Sequence, residues 1–378
     1  MNYSSDGYNP SPENNFGHTT SSPGGPAIPH FVPFGIWTQE KKHIRRLSIT
    51  AAACVLLFIV FSTVLVSGAQ TILSVLSKIG SFDYSSFAEK WDSAEFQFVF
   101  EILYSVFAIG SPFFIAGIIL HKKGYLNFIP MGKPENANVF LVILGAFGIC
   151  LLGNIVTSYF NIILETIFGI SLNLPQMPET PRNFTGVSLF YLSTAIVPAL
   201  VEEMAFRGII MQSLRRYGDW FAVICSSIIF GLMHCNLVQI PFAIIAGIAI
   251  GYAVIVTESV WTGIIIHFLN NAFSVTVSIT DEFYGMESAQ YMICNIIFYA
   301  IIVAGLFAAF IYFKKFNTVP MRKSPLVNKG KNFFGEPHPF SAKISAGTLF
   351  KEYLLTAPMV IAFIVIAYET VVVTMILQ

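Results

Sequence analysis

After residue 46 the chain is a succession of long apolar runs with short polar breaks. Nine such stretches lie near 47–68, 96–120, 138–164, 186–205, 219–235, 238–256, 260–279, 290–313 and 354–376. Most approach or exceed the roughly 20 residues that an α-helix needs to cross a hydrocarbon core. The stretch 219–235 is short, as a tilted or half-buried segment would be. The pattern predicts an all-α fold, a polytopic transmembrane helical bundle of about 8–9 spans. Residues 1–46 read differently. They are rich in Asn, Ser, Pro and Gly, too polar to bury a core, and predict a disordered tail rather than a cleaved signal peptide. Residues 69–95 predict a short surface helix.

Composition narrows the class. Charged residues make up 11% and hydrophobic residues 55%, against about 25% charged in ordinary globular chains. A soluble fold cannot bury that much apolar surface and still cover its outside with polar groups. A soluble enzyme, a basic nucleic-acid binder and a disulfide-stapled secreted module are thereby excluded. The five cysteines, Cys54, Cys150, Cys225, Cys235 and Cys294, stand singly without CxxC spacing and read as small buried hydrophobes. Of the 21 Lys and Arg residues, 18 fall in alternate breaks (41–46, 122–133, 207–216 and 314–352). By the positive-inside rule these breaks and the N-terminus are cytoplasmic. The segment 314–352 reads as a basic loop near anionic lipid.

Ionisable groups inside membrane spans are costly and mark function by default. Here they cluster on three neighbouring spans. Glu202 and Glu203 end the fourth stretch about 100° apart on the helix, so they face different neighbours. Glu203 and Arg207 are i, i+4 and can pair, which leaves Glu202 without a counter-charge on its own helix. Pro198 lacks the N–H that would have met the carbonyl of Thr194. His234 follows in Phe230-Gly-Leu-Met-His, and His267 and Asn271 share a face of the seventh stretch. Glu, two His and Asn suit amide hydrolysis: a partly desolvated Glu with an imidazole to activate water, and a second His with an Asn to bind the oxyanion. The same Glu202, His234 and His267 can instead ligate Zn²⁺. Ser226, Ser227 and Cys235 lie near His234 without a nucleophile-elbow motif. Glu101, Glu165 and Glu369 read as interior polar contacts or ends of spans. Gly247 and Gly251 form a small-residue face for close helix packing.

Glu202-Glu203-x-x-x-Arg207, Phe230-x-x-x-His234 and His267-x-x-x-Asn271, with the small-residue helix 242–252 between, resemble the motif set of the CPBP family. These are the CAAX-prenyl-protease and bacteriocin-processing intramembrane proteases, also called ABI proteins. The resemblance spans about residues 186–280, flanked by helices 47–185 and 281–378. It implies that Glu202 and His234 activate water, that His267 and Asn271 form the oxyanion site, and that Glu203, Arg207 and Phe230 support them. It also implies a hydrophobic or lipidated peptide substrate, with no cofactor under a glutamate mechanism and zinc as the alternative.

The expected protein is therefore a multi-pass intramembrane endopeptidase, metalloprotease by the zinc reading, embedded in a lipid bilayer and without nucleic-acid partners. Its polar tail and short loops suggest a bacterial plasma membrane, with the site toward the cytoplasm. A bacteriocin-immunity or scaffold protein without catalysis, or a proton-coupled transporter, are the rivals.

Overall fold

A computed structural model describes residues 34–68, 93–135, 138–169, 179–315, 321–323 and 345–375, with single positions between 71 and 91. Most of the expected surface helix at 69–95, most of the basic loop 314–352 and residues 1–33 of the tail lie outside this set. Residues 34–46 are helical rather than disordered, because the first helix starts at Phe34, ahead of the apolar run. The helices are α1 (Phe34–Thr63), α2 (Ala94–Lys122), α3 (Val139–Phe168), α4 (Phe184–Tyr217), α5 (Asp219–Leu232), α6 (Gln239–Thr257), α7 (Val260–Tyr284), α8 (Ala289–Lys315), α9 (Ala346–Leu354) and α10 (Ala357–Met375). No strand occurs among the described residues.

Among the described residues seven helices are long and apolar enough to cross a membrane, and α9 with α10 adds a candidate span bent by 70°. The nine apolar stretches thus yield seven or eight candidate spans. The difference is α5: its 14 residues extend about 21 Å at 1.5 Å per residue, short of a hydrocarbon core of about 30 Å. Both ends of the α5–α6 hairpin lie together, because buried Arg215 binds Asp219 at the start of α5 (3.0 Å) and Glu258 just past α6 (2.7 and 2.8 Å). The hairpin enters the bundle and returns through a turn at 233–238, in which Met233 and Asn236 are buried and His234 is exposed.

The basic breaks gather at that same end. Arg216 pairs with Glu40, Arg46 with the Tyr125 hydroxyl, Lys41 and Arg45 with Glu352, and Arg322 with Asp219. Half-exposed Trp220 and Trp261 flank it, as aromatic residues do at a lipid–water boundary. Arg182 lies at the opposite end, donating to the Phe283 carbonyl (3.1 Å) at the end of α7. The start of α4 is fixed there by Asn183, whose side chain accepts from Gly186 N at 2.7 Å.

Helix α3 packs along α8 and α6, and α1 along α10. The α3–α8 crossing is close because glycines face one another: a Cβ on Gly148 would sit 2.8 Å from Gly305 Cα. Backbone there cannot give way as a side-chain tip can. Gly148→Ala should separate the helices and cost about 1–3 kcal/mol, seen as a lower melting midpoint in detergent. An unchanged midpoint would show that the crossing is looser than drawn.

Candidate active site

Helix α4 carries the two carboxylates, and its geometry is unusual where it does so. A π turn at Leu192–Ile196 precedes Pro198, and another, Met204–Ile210, begins immediately after Glu203. Such turns rotate the register of the helix and recur at functional sites. Here they divide the pair. Glu203 is fully buried against α7, whereas Glu202 retains 14% side-chain exposure.

Glu203 is an anchor. One of its oxygens accepts from Arg207 (2.8 Å) and from His267 Nδ1 (2.8 Å). Its other oxygen has no hydrogen-bond partner and lies where a Cβ on Gly263 would come within 3.0 Å. Fully buried Arg207 donates also to the Gly247 carbonyl (3.4 Å) on α6 and stacks over Phe230, 4.4 Å from the ring centroid. Phe230 is edge-on to both His234 (5.1 Å) and His267 (6.0 Å). The aromatic ring thus fills the space between the guanidinium and the two imidazoles. Gly247 lets α6 approach α5, since a Cβ there would meet Ser227 Cβ at 2.9 Å.

His234 lies beyond the end of α5, in the hairpin turn, rather than within a span. The helix stops at Leu232, and Cys235 adopts a left-handed φ of 47° that reverses the chain. His234 Nδ1 donates to the Phe230 carbonyl (3.0 Å). A carbonyl only accepts, so in the neutral ring Nε2 holds the lone pair. Likewise His267 directs Nδ1 at Glu203, leaving Nε2 4.0 Å from Glu202 Oε2.

Glu202 and His234 line one cavity of about 390 Å³ with Phe206, Phe230, Met233 and Cys235. Its other walls come from α1 (Phe58, Ile59, Ser62, Thr63), α2 (Tyr104, Ile109) and Glu369 of α10. His267 is near Glu202 but is not part of this wall, and neither is Asn271.

Asn271 is otherwise engaged. Its amide donates to the Thr194 carbonyl (3.0 Å), the group that Pro198 cannot serve, and its oxygen accepts from Asn270 (3.1 Å). One amide hydrogen of Asn271 remains for an oxyanion. Asn271→Ala should leave the Thr194 carbonyl short of a donor, at a cost of about 1–3 kcal/mol. Adding Pro198→Ala supplies an N–H four residues on and should recover part of that loss in thermal unfolding. No recovery would mean that Asn271 does not serve that carbonyl.

Zinc does not fit this arrangement. Among the described residues no group of three or more His, Cys, Asp or Glu side chains is placed to hold a metal ion.

Two features were hidden in the sequence, Gly263 and the Tyr104–Ser62 hydrogen bond (2.8 Å) at the cavity wall, and Glu369, read there as an interior contact or the end of a span, lines the cavity. A single acid or glycine in an apolar helix carries no spacing signal, and only the neighbouring helices reveal what it faces.

The fold and site together define a polytopic helical membrane protein in which buried Glu203 and His267 back a more accessible Glu202 and His234. Residues 184–273 match the family model described as "Type II CAAX prenyl endopeptidase Rce1-like". The protein named "Putative membrane peptidase YdiL" of Bacillus subtilis (strain 168) is 26% identical over 144 residues, 37% of this chain and 56% of that relative. The match thus spans little more than half of the relative's length. No solved structure matches the chain.

Proposed function

We propose that this protein is an intramembrane endopeptidase in which Glu202 and His234 activate a water molecule against a peptide bond of a hydrophobic or lipidated peptide. The observation that carries the reading is the shared cavity wall of Glu202 and His234, with His267 Nε2 4.0 Å behind the Glu202 carboxylate. The Rce1-like match supports the same class.

The water oxygen attacks the carbonyl carbon while its proton passes to Glu202, and His234 Nε2 orients it as acceptor. The tetrahedral oxyanion is met by His267, whose imidazolium form donates from both nitrogens, and by the remaining amide hydrogen of Asn271. On collapse the C–N bond breaks and Glu202 returns its proton to the leaving amine. Glu203, Arg207 and Phe230 hold His267 and His234 in register. The charge of the basic end supports a cytoplasmic location for it, and the bacterial relative favours a bacterial plasma membrane.

The test is hydrolysis of a farnesylated peptide by the purified chain in nanodiscs, followed by mass spectrometry. Cleavage that persists after extensive treatment with chelator is expected. Cleavage lost with chelator and regained with zinc would overturn the metal-free mechanism, and no cleavage of any prenylated or apolar peptide would count against the enzyme.

A further inference from the structure

Glu369 lies on α10, about a hundred residues beyond the segment that matches the family model, and faces the same cavity as Glu202 and His234. It makes no hydrogen bond or ion pair among the described residues. Among the described residues that line the cavity, the other carboxylate is Glu202 and none is a Lys or Arg. The remaining wall is largely apolar, formed by Phe58, Ile59, Ile109, Phe206, Phe230 and Met233. A carboxylate in such surroundings is costly unless a donor or an opposite charge meets it. Three buried carboxylates of the bundle are supplied with cations from within: Glu203 by Arg207, Asp219 by Arg215 and Arg322, and Glu352 by Lys41 and Arg45.

We infer that Glu369 is a specificity-determining residue whose partner arrives with the substrate: a Lys or Arg side chain of the hydrophobic peptide, bound across the cavity from the water-activating pair. This rests on the peptidase reading and extends it by naming a basic residue close to the scissile bond. The apolar walls take the neighbouring side chains or lipid, and Glu369 fixes the register in which the carbonyl meets Glu202. A carboxylate–ammonium contact is charge-assisted, and more valuable in a poorly hydrated cavity than in water.

The experiment compares two fluorescent farnesylated peptides that differ at one position, lysine against its uncharged isostere norleucine. Binding is measured by anisotropy to full-length protein in nanodiscs of neutral lipid, carrying Glu202→Gln so that turnover does not intervene and Glu369 is the remaining carboxylate of the cavity wall. The lysine peptide should bind roughly tenfold tighter, a charge-assisted contact of about 1.4 kcal/mol. Adding Glu369→Gln should bring the ratio of affinities to about one, and Glu369→Lys should invert it. A ratio of one already in the presence of Glu369, a preference that survives Glu369→Gln, or no binding of either peptide would overturn the inference. Failure of the peptidase reading looks different: protein with Glu202 intact would cleave neither peptide although the lysine preference and its loss persist.

Discussion

Glu202→Gln is expected to lower kcat by roughly 10²–10⁴-fold, the usual contribution of a positioned general base, with KM and the melting midpoint little changed. The amide keeps the size of the side chain and removes its ability to take a proton from water. Glu202 is suited to this test because its one close ionisable neighbour is His267, at 4.0 Å, and no Lys or Arg pairs with it among the described residues. His234→Ala should fall in the same range, since the Nε2 lone pair fixed by the Phe230 carbonyl would be lost. The double variant should lose little more than either single one, because groups that act on one water are not additive. Rates measured on a farnesylated peptide, with melting curves beside them, check all three. Near-normal kcat in Glu202→Gln would remove the carboxylate from the chemistry and leave a binding or scaffold protein.

Arg207→Ala should be the more damaging change to the fold. Arg207 and Glu203 are both fully buried and 2.8 Å apart. Removing the guanidinium strips a donor from a carboxylate whose second oxygen already has no partner, and it uncovers the face of Phe230. Breaking one side of a buried pair costs about 3–5 kcal/mol, enough to lower the melting midpoint and the yield of folded protein severely. Replacing both residues by apolar ones, as in Glu203→Leu with Arg207→Met, removes the stranded charge and should restore much of that stability. Activity should not return with it. His267 Nδ1 would have no acceptor, and its ring would no longer be held toward Glu202. Stability that stays low in the double variant would mean that the pair is needed for packing as well as charge. Activity that recovers with stability would remove Glu203 as the group that orients His267.

The helical class and the order of the motifs were legible because both are local. A run of about 20 apolar residues has few alternatives in a bilayer, and i, i+4 spacing puts Glu203 beside Arg207 whatever surrounds them. The alternation of basic breaks likewise anticipated which loops share an end, now held by Arg215, Arg216 and Arg322. Hydropathy alone ran the fifth stretch through His234, since Met233 and Cys235 are as apolar as the helix before them. The chain in fact turns there, and Cys235 takes the left-handed conformation that aims His234 back at Phe230.

By itself, then, the sequence determined an α-helical membrane bundle, its basic end, the Glu203–Arg207 pairing and the set of side chains able to do chemistry. Tertiary structure decided how they are used: Glu202 on the cavity wall and Glu203 behind it, Asn271 tied to the carbonyl that Pro198 leaves without a donor, and Glu369 brought from the last helix to face them. The physical reason is that helix geometry is set within a few residues of chain. The polarity of a cavity is set by which helices meet around it, and that depends on close crossings such as Gly148 on Gly305 and Gly247 on Ser227, between positions far apart along the chain.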